Sequence, residues 1–199
     1  LEESGLILEV GGWVLAEACH VCAQLLDEDL INEQDFSLCV NISPRQFRQN
    51  DLAERVESSL RNSKMPKSML KLEITEGIVI QNIEDTIAKM NRLKRIGVSF
   101  AMDDFGTGYS SLTYLKRLPV DVLKIDQSFV RDATCDPNDA EIIRAIIAMA
   151  RSLDLEMIAE GVEQQDQLDF LELQGCHQYQ GYLFSKPLPL PEFRALLAH

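Results

Sequence analysis

The chain has 199 residues, 46% hydrophobic and 26% charged, a balance that suits one soluble globular domain with its own core. A formal net charge of −13 argues against duplex nucleic acid as a partner, because such binders carry basic patches. No apolar run approaches the roughly 18 residues of a membrane span, and the opening Leu1-Glu2-Glu3-Ser4-Gly5 has neither an initiator Met nor a signal peptide, so a fragment of a longer protein is expected.

In chain order, Trp13, Leu15, Ala18, Cys22 and Leu25 supply one face of a first helix, predicted from Gly12 to Leu26. A strand follows over Phe36–Ile42, then a helix around Leu52, Val56 and Leu60, then a strand over Leu70–Thr75. Ile83, Ile87, Met90 and Leu93 mark the next helix, with Asn82 placed to cap it and Gly97 to end it. Val98–Met102 reads as the third strand. A glycine-containing loop and a short helix (Leu112, Leu115) lead to the fourth, Val120–Ile125. Asp136-Pro137-Asn138 opens a long helix, Glu156–Ala159 is the fifth strand, and a helix through Leu168 and Leu171 stops at Gly175. Tyr179–Phe184 is the sixth strand, and a proline-rich turn precedes a last helix around Phe193–Leu197.

The five cysteines form no metal pattern. Cys19-His20-Val21-Cys22 has the CxxC spacing but lies within the first helix and lacks a second pair, so core thiols in a reducing, cytoplasmic setting are expected. The three histidines share no motif with a nucleophile.

Strictly alternating strands and helices predict a parallel sheet covered by helices. Polar residues fall at the strand ends: Asn41, Glu73, Asp103, Lys124, Glu160 and Gln180. Polar side chains converging from the C-terminal ends of many strands favour a TIM-like (β/α)8 barrel over an open sheet, whose ligand sits at one switch point. The pattern supplies about six β/α units across residues 1–199, so two units are expected to be missing at the N-terminal side.

Seven blocks, in order, carry a family resemblance. They are Glu3-Ser4-Gly5-Leu6-Ile7 with Gly12-Trp13-Val14-Leu15; Val40-Asn41-Ile42-Ser43 with Gln46-Phe47; Leu72-Glu73-Ile74-Thr75-Glu76; Asp103-Asp104-Phe105-Gly106-Thr107-Gly108-Tyr109-Ser110-Ser111-Leu112; Leu123-Lys124-Ile125-Asp126 with Ser128-Phe129-Val130; Ile158-Ala159-Glu160-Gly161-Val162-Glu163; and Gln180-Gly181-Tyr182-Leu183-Phe184-Ser185-Lys186-Pro187. The chain resembles an EAL domain, the phosphodiesterase module that opens cyclic di-GMP to linear pGpG, without the N-terminal segment bearing the Glu-Ala-Leu tripeptide.

The resemblance implies a site. Asn41, Glu73 and Asp103 would hold one Mg2+ or Mn2+ ion together with the glutamate of the tripeptide, and Asp103 with Asp104 a second. Two such ions activate water and clamp a phosphate. Lys124 would contact the attacking water or a phosphate oxygen, and Glu160 would serve as general base or orient water. Glu163, Gln180 and Asp126 would support the site. Gly106 and Gly108 would shape the following loop, with Glu76 holding it. Ser43, Gln46 and Tyr109 stand as substrate-lining residues. The resemblance also implies a homodimer and an upstream sensor or cyclase-like domain in the parent, and leaves membrane tethering of that parent open. With the N-terminal strands missing, the competing expectation is an impaired module that binds cyclic di-GMP or a protein partner.

Overall fold

The computed structural model describes residues 5–80, 82–106 and 112–198. Its contacts divide the chain into two compact units, Leu1–Phe100 with Pro189–His199, and Ala101–Leu188.

In the first unit, helix α1 (Ile7–Asp27) buries Leu15, Cys19, Cys22 and Leu25, a spacing of three and four that lines one face. It starts earlier than predicted and takes Gly11 and Gly12 into its interior. Gly11 leaves room there for Gln46, since a Cβ on it would lie 2.2 Å from the Gln46 amide nitrogen. Strand β1 (Leu38–Asn41) and helices α2 (Pro44–Arg48) and α3 (Leu52–Ser63) follow. Strand β2 (Leu70–Thr75) runs parallel to β1, with Leu38 opposite Leu70 and Asn41 opposite Glu73. Its first five residues are buried, as expected of a strand covered on both faces.

Helix α4 (Glu76–Ile80) leads to α5 (Ile83–Ile96). As predicted, Asn82 caps α5 by accepting from the Asp85 amide, and Gly97 ends it at φ 112°, where other residues are strained. Strand β3 (Ser99–Phe105) starts here, the Ser99 hydroxyl donating to the Leu70 carbonyl at 3.4 Å.

The rest of β3 belongs to the second unit. Helix α6 (Leu112–Leu115), β4 (Val122–Ile125), α7 (Gln127–Asp132), α8 (Pro137–Ser152), β5 (Glu156–Glu160), α9 (Gln165–Gln174) and β6 (Gln178–Gln180) follow. β3, β4, β5 and β6 pair in parallel in chain order. Asp136 caps α8 as predicted, accepting from the Asn138 amide at 2.8 Å, and Gly175 ends α9 at φ 85°. Last in the chain, α10 (Leu190–Leu197) returns to the first unit, where Arg194 forks onto Glu28 with two 2.8 Å contacts.

The sixth strand differs from expectation. It ends at Gln180 because the amides of Phe184 and Ser185 both turn back onto the Gly181 carbonyl. Among the described residues, no helix is long and apolar enough to cross a membrane.

Candidate metal centre

Successive side chains on a strand point to opposite faces, so an Asp-Asp pair should be split by the pleat. Here the β3–β4 register breaks: Met102 pairs with Leu123 and Phe105 with Ile125, so Asp103 and Asp104 together face Lys124. This is a bulge, and Asp104 takes φ 53° within it. The kink re-aims the pair. Carboxylate oxygens of Asp103, Asp104 and Glu160 all come within 4.8 Å of one another. Gly106, at φ 101°, then turns the chain over Phe129, where a Cβ would meet the ring at 3.0 Å.

Lys124 is the counter-charge. Its ammonium is 2.9 Å from Asp103 and 2.5 Å from Glu160, with 3% of its side chain exposed. A lysine so buried needs such partners. One ammonium still faces three carboxylates. Burial, the adjacent Asp103 charge and a hydrogen bond with Asp126 push the Asp104 carboxyl above its ordinary pKa, against the pull of Lys124. Asp103 Oδ1 is buried and, despite the nearby ammonium, accepts no aligned hydrogen bond. Converging hard oxygens with excess negative charge and an unshared lone pair fit a divalent cation of the Mg2+ or Mn2+ kind. Sequence reading placed Glu160 as a base or water-orienting group; the geometry adds it to the carboxylates able to hold an ion.

Within the first unit, Asn41 and Glu73 are register partners at neighbouring strands, and the Ile42 amide donates to the Glu73 carbonyl at 2.8 Å. Asn41 is exposed and Glu73 buried. β2 continues past Glu73 to Thr75, as β3 continues past Asp103 and β4 past Lys124, so these are near-terminal rather than terminal residues.

Residues 1–187 match the family model described as EAL domain. The chain belongs to the EAL domain family. It is 40% identical to the bifunctional diguanylate cyclase/cyclic di-GMP phosphodiesterase MucR of Pseudomonas aeruginosa, over 99% of this chain and 28% of that protein. It is 42% identical to the cyclic di-GMP phosphodiesterase NbdA of the same organism, over 98% of this chain and 25% of NbdA. The chain thus spans about a quarter of the length of these curated relatives. A solved PaMucR phosphodiesterase–c-di-GMP complex superposes with a TM-score of 0.92 at 40% identity, covering 96% of this chain and 76% of that one. The Klebsiella pneumoniae BlrP1 manganese/cy-diGMP complex superposes with a TM-score of 0.80 at 27% identity, covering 90% and 45%. The fold is accordingly α/β of the TIM-like EAL type, the architecture inferred from the polar strand ends.

The other expected residues of this EAL domain have definite places. Ser43 caps α2 by accepting from the Gln46 amide, and Gln46 Oε1 accepts from the Ser43 amide at 3.1 Å, so the buried Gln46 side chain closes a capping box. Asp126 is buried at the cap of α7, accepting from the amide of Ser128 at 2.9 Å and from its hydroxyl. Glu76 is buried, and neither carboxylate oxygen has a hydrogen-bond partner among the described residues. Glu163 and Gln180 are exposed, and Gln180 pairs with Glu160 in the β5–β6 register. Gly108 and Tyr109 lie outside the described residues. Sequence reading missed Gln167, which is 4% exposed and bonded at both ends of its amide. The Gln164-x-x-Gln167 spacing of a capping box was the available signal.

Proposed function

We propose that this EAL domain hydrolyses cyclic di-GMP to linear pGpG, using Mg2+ or Mn2+ ions in a pair. The observation that carries the reading is the bulged Asp103–Asp104 pair beside Glu160 and the buried Lys124. Asp103, Asp104 and Glu160 would hold one ion, and Asn41 and Glu73, register partners on β1 and β2, would offer oxygen donors of the same kind. Such ions supply charge neutralisation at phosphorus and an acidified water. Lys124 presents its ammonium to a phosphate oxygen, where negative charge grows as water adds and the P–O bond to the sugar breaks. Glu160 would accept the proton of the attacking water or orient that water, and its contact with Lys124 favours one direction for its carboxylate. The printed functions of MucR and NbdA and the BlrP1 manganese complex support the substrate and the ions. A homodimer and an upstream partner domain belong to the same proposal, the second supported by the bifunctional name of MucR.

The test is pGpG production by the intact protein with Mn2+ against Asp103→Ala. The variant should lose at least about a thousandfold in turnover. Equal turnover would remove the assignment. Binding of cyclic di-GMP without hydrolysis by the unaltered protein would favour the competing reading as a binding module.

A further inference from the structure

Glu160 ends β5, and the loop that leaves it, Gly161-Val162-Glu163, is held on three sides. Gly161 takes φ 67° against α7, where a Cβ would lie 2.5 Å from that of Gln127. The Val162 amide donates to the Gln180 carbonyl at 3.1 Å, and the Val162 carbonyl accepts from Leu183 at 3.0 Å. The third hold is the Gln167 side chain. Its Oε1 accepts from the amides of Glu163 at 2.9 Å and Gln164 at 3.0 Å, while Nε2 donates to the Arg131 carbonyl at 3.2 Å. Arg131 lies in the last turn of α7, the helix that follows Lys124 and is capped by Asp126. The amide therefore ties the loop after β5, which bears Glu160, to the last turn of α7, the helix that follows β4 and its Lys124.

We propose that Gln167 is a positioning residue that clamps the loop after Glu160 to the helix that follows Lys124 and so sets the Lys124–Glu160 contact. This rests on the phosphodiesterase reading for its kinetic consequence, though not for its geometry. A plain helix cap needs only the acceptor oxygen, and a clamp needs the donor as well. Glutamate at this position keeps the acceptor, which a helix N-terminus favours, and sets a carboxylate oxygen against the Arg131 carbonyl. The two roles therefore part in Gln167→Glu.

The experiment compares Gln167→Glu and Gln167→Met with the unaltered intact protein for kcat, KM and melting temperature, and adds a crystal structure of Gln167→Glu. The clamp predicts that Gln167→Glu lowers kcat by about tenfold or more with KM within twofold, because a shift near 1 Å in a reacting group is that costly. Its melting temperature should fall less than that of Gln167→Met, since the helix cap is kept, and Glu160 should sit displaced from Lys124. Gln167→Met should lose both stability and turnover, and if it fails to fold the Gln167→Glu arm stands alone. An unchanged kcat, or an unmoved Lys124–Glu160 contact, overturns the clamp. If the unaltered protein leaves cyclic di-GMP intact while Gln167→Glu still displaces Glu160, the functional reading fails and the clamp holds.

Discussion

Gln46 and Gln167 hold the same kind of post in the two units. Each is buried, follows a strand whose tip carries a site residue (Asn41 or Glu160), and returns its side-chain oxygen to the loop between strand and helix. They differ in what braces them. Gln46 is backed by the missing side chain of Gly11, which leaves 2.2 Å to a hypothetical Cβ. Gln167 is backed by a second hydrogen bond, to another helix. Both loops combine close packing with a side-chain hydrogen bond, and the second adds backbone stitching and a polar tie to another helix. The second loop lies beside a buried cation, where direction matters as well as proximity.

Three changes probe that contrast. Lys124→Met should cost most, about 3 kcal/mol by urea unfolding in chelator, because it takes the buried counter-charge away from the half-buried Asp103 and Glu160. Divalent ions should restore part of the loss, and a variant indifferent to Mn2+ would contradict the metal centre. Gly181→Ala comes next, at about 2–3 kcal/mol. A Cβ there would sit 2.0 Å from the Val162 carbonyl oxygen, and that backbone is bonded on both sides. Gly11→Ala should cost about 1 kcal/mol, since alanine's gain in a helix offsets part of the overpacking and the Gln46 amide can swing aside. If Gly11→Ala proved as damaging as Gly181→Ala, packing and backbone stitching would not differ as described.

The smallest effect concerns the thiols. Burial, and then the neighbouring Cys22, push the Cys19 thiol up from 9.0 to about 11. Its contribution to stability is whole below pH 9 and fades as pH climbs toward 11, because the unfolded thiol ionises first. Over that interval the parent should lose stability relative to Cys19→Ala. A thiol reagent should label Cys39 and Cys135 quickly in the native protein and reach Cys19, Cys22 and Cys176 only on unfolding.

The amino-acid order alone determined the alternation of strands and helices, and it named several helix ends, because period, caps and terminal glycines are local signals. Asn82, Asp136, Gly97 and Gly175 act as their chemistry required. It also exposed the polar strand tips and the family blocks. It could not show that Asp103 and Asp104 share a face, because the pleat says otherwise and only pairing with β4 creates the bulge. Nor could it show that β6 stops at Gln180, or that Gln167 reaches Arg131. Those outcomes depend on which backbone lies alongside, and residues distant in the chain meet only once the fold brings them together.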